Sequence, residues 1–305
     1  MSTERAFYRE QSEISSPGRY AALFDALPTE IPALCEAAQH VLIHQFWVLD
    51  PDNYGIGPTD LKQAGREPNQ EINLRSTEEI LEAAMALDDR PLTAPRSALQ
   101  RVVGNCRDYA LLLTAMLRHQ GIPARVRSGV ARYFFPGEIR LEDHFICEWW
   151  NEAAGRWQRT DPQVDTLQRR VLALPFDPVD LPPGQFLDAG ESYRELESGA
   201  VEPDKIGIFE FIGWPYVRYK LVSDLACVNR VEVLAWEAWG ICSEVDADPL
   251  PAETQALFVQ IAELLITSTE APSRFAEARA LWDTHPRLQF PANYRPHYWE
   301  LPALK

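Results

Sequence analysis

Gly104-Asn105-Cys106-Arg107-Asp108-Tyr109-Ala110-Leu111-Leu112-Leu113-Thr114-Ala115-Met116-Leu117-Arg118-His119-Gln120-Gly121-Ile122-Pro123 is the stretch on which the reading of this chain turns. An apolar run opens just after Asn105 and Cys106. It closes at His119-Gln120-Gly121, with Gly121 at the place of a helix C-terminus and Pro123 just beyond. The pattern predicts a helix with Cys106 in its first turn. A thiol there sits at the positive end of the helix dipole, which favours the thiolate, the form that attacks carbonyls. His144 begins an aromatic and β-branched run ending at Trp150, which reads as a strand. Asn151 to Gly155 reads as a turn, and Arg156 to Asp161 as a second strand stopped by Pro162. A hairpin centred on residue 153 sets His144 opposite residue 161 or 162, so imidazole and carboxylate share neighbouring strand ends. Nucleophile, base and orienting carboxylate are the parts of a thiol acyl-transfer enzyme.

These residues carry a resemblance. Gly104-x-Cys106-x-x-x-Ala110, Gly121-Ile122-Pro123-Ala124-Arg125, His144 with Glu148 four later, and Trp157 with Asp161-Pro162 together resemble the transglutaminase-like superfamily. The resemblance covers roughly residues 98 to 165 and implies an α+β, papain-like core. A cysteine helix would pack on antiparallel strands, with helical segments added on both sides. It implies Cys106 as nucleophile, His144 as base and Asp161 as orienter. Two positions depart from the usual pattern: Ile146 stands where an aromatic is frequent, and Gln163 where threonine often follows Asp-Pro. The whole chain also resembles uncharacterised bacterial proteins known only by this domain. The implied activity is acyl transfer from an amide or thioester, ending on water (a peptidase or amidase) or on an amine acceptor (a transferase). The alternative is a catalytically inactive peptide-binding module on the same fold. Neither a metal nor an organic cofactor is implied.

The 305 residues are 46% hydrophobic and 24% charged, ordinary values for a globular protein. Twenty-nine basic residues against 45 acidic ones give a net charge of −16. That balance argues against nucleic acid and anionic membranes as partners. Residues 96 to 170 run against it, with twelve arginines, no lysine and eight acids. Those arginines either favour an anionic substrate or pair with acidic neighbours from the flanks. No apolar run reaches membrane-spanning length, and the polar first twenty residues lack a signal peptide's apolar stretch. Five cysteines without a Cys-x-x-Cys pair fit a reduced, cytoplasmic protein.

The flanks divide the chain into an N-terminal helical segment (1–95), the catalytic core (96–170) and a mostly helical C-terminal segment (171–305) packed on the core. Residues 20 to 50 read as helical, 51 to 68 as turn-rich, and Thr77 to Leu87 as a helix capped at Ser76 or Thr77. The prolines from Pro175 to Pro183 demand irregular backbone. Helices follow at Val217 to Trp239, Ala252 to Ser268 and Ser273 to Asp283. In the first of these, Leu225, Val228, Asn229, Glu232 and Trp236 would share one stripe. Asn229 and Glu232 would then hold a loop or face the cleft and touch substrate. Cys147, at an odd offset from His144, reads as core, as do Cys35, Cys227 and Cys242. His40 and His44 are four apart, a metal-compatible spacing with no evident third ligand. His119 suits the dipole of the cysteine helix's last turn. Trp149, Trp150 and Trp157 read mainly as core, and His285 and His297 carry no role.

Overall fold

The computed structural model describes residues 2–266, 273–291, 294 and 298–301. In chain order its main elements are α1 (Ile31–Val41), β1 (Leu42–His44), α2 (Thr77–Leu87), β2 (Val102–Gly104), α3 (Cys106–His119), β3 (Ala124–Ala131), β4 (Leu141–Asn151), β5 (Arg156–Thr160), β6 (Phe186–Asp188), α4 (Ala189–Glu197), β7 (Ile206–Ile208), β8 (Phe211–Ile212), α5 (Gly213–Val228), α6 (Ala252–Leu265) and α7 (Phe275–Thr284).

α3 begins where its capping chemistry dictates. The Asn105 side chain accepts the Arg107 N–H at 2.9 Å, and the Asp108 carboxylate accepts the Asn105 N–H at 2.9 Å, a reciprocal capping box. It ends at Gly121, whose φ of +76° is open to glycine at little cost. Every residue of α3 except His119 is buried, so this helix is the axis of the fold. It packs on β3 and β4 of a curled sheet ordered β6-β3-β4-β7-β8, with β5 also on β4. All pairings in that sheet are antiparallel except β4 with β7. β4 pairs with β7 only at Leu141 and Glu142, and with β5 only from Cys147 to Asn151. The edge of β4 around His144 is therefore left unpaired on that side. On its other side His144 faces Gly129 of β3. A Cβ on Gly129 would lie 2.0 Å from the Leu187 carbonyl oxygen, so glycine lets β6 close on β3 there.

One hydrophobic core draws on the whole chain, from Phe24 and Leu34 through Met116 and Phe145 to Val222 and Phe258. A smaller one lies beneath the proline-rich passage and joins Ile146, Val164, Leu181 and Phe186. No described helix is long and apolar enough to cross a membrane.

Several expectations change. The 20–50 segment is not one helix: α1 stops at Val41, and Leu42 to His44 pair in parallel with Val102 to Gly104. β-branched and apolar residues there satisfy a buried strand as well as a helix. His40 and His44 thus sit on different elements and do not form a helical metal pair. The 51–68 stretch holds short helices at Pro51–Tyr54, Pro58–Gln63 and Pro68–Glu71 with proline at their first turns. The expected 217–239 helix runs instead from Gly213 to Val228. It stops because Arg230 takes φ +62° and the Val231 N–H turns back to the Ala226 carbonyl. The stripe linking Asn229, Glu232 and Trp236 therefore does not exist. The 252–268 helix ends at Leu265, and its expected last two residues, with His297, lie outside the described residues.

Candidate active site

Cys106, His144 and Asp161 meet where the start of α3 reaches the unpaired edge of β4. His144 Nε2 lies 2.8 Å from Asp161 Oδ2. With Nε2 taken by the carboxylate, Nδ1 is the ring nitrogen left for the thiol of Cys106, which lies near enough to help raise the pKa of the ring. The hairpin register differs from the symmetric estimate. Cys147 pairs with Thr160, so continued pairing would set His144 level with Gln163. The contact survives because β5 stops at Thr160 and the Asp161 N–H turns to the Pro178 carbonyl at 2.8 Å. The carboxylate swings back toward His144.

Asp161 is thoroughly held. The Tyr133 hydroxyl donates to Oδ2 at 2.6 Å, and the Gln163 N–H donates to Oδ1 at 3.0 Å. Burial opposes the charged form of His144, but the Asp161 charge and hydrogen bond outweigh it and hold the pKa up at about 10. The Phe134 ring stands 4.8 Å from the imidazole, edge to face. Tyr133 and Phe134 escaped the sequence reading because nothing in Arg132-Tyr133-Phe134-Phe135-Pro136 marks a polar role.

A cleft of about 880 Å³ opens over the thiol. Its walls come from β1 and the following turn (His44, Gln45, Phe46, Trp47), from β4 (Glu142, Asp143, His144), from the β7–β8 turn (Ile208 to Phe211), and from the chain after α5 (Ala235, Trp236, Cys242, Asp246). His44 is the reverse of His144. Burial, then the His144 charge, lower its pKa to about 3, and its Nδ1 accepts the Phe46 N–H at 3.3 Å. Cys242, expected as core, also lines the cleft, but burial pushes its thiol up to about 11. Cys147 is core, raised to about 12 by burial, with the Thr114 hydroxyl donating to its sulfur at 3.3 Å.

Asn229 and Glu232 do not line this cleft. The Glu232 carboxylate accepts from Arg118 at 2.7 Å and from Ser12 at 2.6 Å. Asn229 donates to the Leu225 carbonyl at 2.7 Å and accepts from Arg279 at 2.9 Å. Both tie segments together inside the protein, because the chain leaves α5 before it can carry them to the cleft. None of Trp149, Trp150 or Trp157 lines it either; Trp47, Trp236 and Trp299 do. The arginines likewise turn away. Arg125, Glu148 and Arg159 are cross-strand neighbours, and Arg127 bridges Glu148, Asp188 and Asp224. These arginines pair with Glu148 inside the segment and with Asp188 and Asp224 from the C-terminal flank, and none of them lines the cleft.

Residues 67–162 match the family model described as the transglutaminase-like superfamily. This segment is similar to a transglutaminase-like core. The match begins well upstream of residue 96. A solved structure from Cytophaga hutchinsonii, provisionally described as a cysteine protease, is 17% identical with a TM-score of 0.28. That alignment covers 53% of this chain and 43% of the other, so this chain spans less than half the length of the protein it matches. No curated protein matches the chain.

Proposed function

We propose that the protein is a thiol acyl-transfer enzyme in which Cys106 is the nucleophile, His144 the base and acid, and Asp161 the orienter. The observation that carries this is the buried His144–Asp161 pair at 2.8 Å beside a thiol that opens an apolar cleft. The Cys106 thiolate attacks the carbonyl carbon of an amide or thioester. A backbone N–H at the start of α3 holds the tetrahedral oxyanion, and the second donor in this reading is the side-chain amide of Gln45, which lines the cleft with Cys106 and whose backbone N–H bonds the Gly104 carbonyl at 2.8 Å. Collapse breaks the acyl–nitrogen or acyl–sulfur bond, and the His144 imidazolium gives its proton to the leaving group. Water or an amine, deprotonated by His144, then attacks the thioester and releases Cys106. Asp161 keeps Nδ1 aimed at the thiol and stabilises the imidazolium.

The substrate in this reading is a peptide, amide or thioester held along the aromatic walls. Incubating the protein with a library of activated acyl donors and measuring intact mass tests it. The expected result is an acyl adduct mapped to Cys106, present in wild type and missing in Cys106→Ala. Adducts on Cys242 alone, or on no cysteine while peptides still bind, would favour the inactive binding module.

A further inference from the structure

Apart from the His144 imidazolium, the charged groups lining the cleft are acidic. Among its described lining residues are four carboxylates, Glu142, Asp143, Glu210 and Asp246, and no lysine or arginine. Two of these are already paired. Asp143 accepts from Lys220 at 2.6 Å and from the Tyr216 hydroxyl at 2.7 Å, and Glu142 pairs with Arg140 at 2.9 Å. Glu210 and Asp246 are exposed and have no hydrogen bond or ion pair among the described residues, although Arg218 lies near enough to Asp246 to feel its charge.

Position ties these charges to the reaction. Glu142 shares a strand face with His144, two residues apart, about 6–7 Å along β4. β7 runs parallel to β4 with Gly207 beside Glu142, so the following turn carries Phe209 and Glu210 toward the level of His144. Nine aromatic side chains line the same space, and the ring of Phe209 stands 5.7 Å from that of Phe46. Aromatic faces beside carboxylates are the chemistry that recognises ammonium or guanidinium groups. The lining also holds buried polar atoms with no partner among the described residues, namely Gln45 Oε1, Gln163 Oε1 and Asn105 Nδ2. Such groups are rare in folded interiors, and here they offer unused acceptors and a donor to a polar ligand in the cleft.

We infer that the acyl donor is cationic: an amide or thioester whose acyl part carries an ammonium or guanidinium group beside an apolar or aromatic one. Anionic donors are disfavoured. The inference rests on Cys106 being the reactive thiol, and its test separates the two. Cys106 modification rates are measured by peptide mapping with trimethylammonioethyl methanethiosulfonate (cationic) and sulfonatoethyl methanethiosulfonate (anionic). Each rate is divided by the rate on mercaptoethanol, and neutral iodoacetamide shows whether the thiol is reactive at all.

The His144 imidazolium itself attracts anions, so the decisive comparison is between wild type and the Glu210→Gln/Asp246→Asn double variant. Two carboxylates lining the same cleft as the reacting sulfur should give a cationic-to-anionic ratio about fivefold higher in wild type than in the double variant. The difference should shrink in about 1 M salt, where the screening length falls to about 3 Å. A ratio equal in the two proteins, or higher in the variant, overturns the cationic donor while leaving the thiol enzyme standing. Failure of iodoacetamide to reach Cys106 in the wild type overturns the enzyme reading, and this inference with it.

Discussion

Two buried polar regions lie on the same strands, and they are built on opposite plans. In the arginine lattice each charge has a mate. Glu148 accepts from Arg125 at 2.7 Å, from Arg127 at 3.2 Å and from Arg159 at 3.2 Å. Arg159 reaches on to Asp188 and Glu191. Burial opposes ionisation of Glu148, yet three guanidinium groups hold its carboxyl well below the usual range. In the cleft, a few residues along β4, polar atoms remain unpartnered and the two histidines are driven apart, one to about 10 and the other to about 3. A lattice that satisfies itself has nothing left to offer a substrate. A cleft that leaves groups unsatisfied, with titrations pushed in opposite directions, is where chemistry is to be sought.

The comparison breaks if the two regions respond alike to substitution. Cys106→Ala and His144→Ala should each cut turnover of a trapped acyl donor by roughly 10⁴- to 10⁶-fold, and the pair together little more, because the residues act as a unit. Urea midpoints for Cys106→Ala should change by no more than about 1 kcal/mol in stability. Glu148→Gln should do the reverse. It leaves Arg125, Arg127 and Arg159 short of a buried counter-charge and should cost about 3–5 kcal/mol in urea or thermal unfolding. Its Cys106 labelling should persist wherever the protein remains folded. A fragment ending at Val171 would lose Asp188, Asp224 and much of the shared core, and it should fail to unfold cooperatively by circular dichroism.

How much of this was legible in the sequence follows from what each feature depends on. α3 was readable because its caps, periodicity and stop are all local: Asn105, Asp108, Gly121 and Pro123 act within a turn of where they sit. The neighbouring strands of His144 and Asp161 were readable for the same reason, although the register was off and a bend at Asp161 supplied the contact. The helix expected to reach Trp239 failed because its terminator, Asn229-Arg230, carries neither glycine nor proline. Asn229 and Glu232 were misplaced with it. His44 and Gln45 reach the site only because β1 pairs with β2 immediately before the cysteine, and Tyr133 only because β3 runs beside β4 at His144; no spacing in the sequence announces either.

A smaller effect sharpens the contrast inside the cleft. The folded protein does not protonate His44 until about pH 3, whereas the unfolded chain takes the proton near 6.5. Its contribution is therefore complete above about pH 6.5 and drains away as the pH falls toward 3. His144 has the opposite sign: its contribution is complete below 6.5 and is lost as the pH rises through about 10. His44→Gln should flatten the acid limb of the stability curve, by a few kcal/mol between those pH values. His144→Gln should flatten the alkaline limb. Equilibrium unfolding from pH 3 to 10 reads both. If both variants flatten the same limb, the opposed environments of the two histidines are wrong.

The central claim, that Cys106 beside His144 is a reactive thiol while the other four cysteines are ordinary buried ones, is tested most directly by competition among the thiols of one molecule. Limiting iodoacetamide at pH 6 to 7, followed by peptide mapping, reads the order of modification. Cys106 should react first, by more than tenfold over Cys242, which shares the cleft and so controls for access but has its thiol pushed up to about 11. In His144→Ala that advantage should collapse. Cys242 modified as fast as Cys106 in the wild type, or a Cys106 rate indifferent to the loss of His144, would contradict the account.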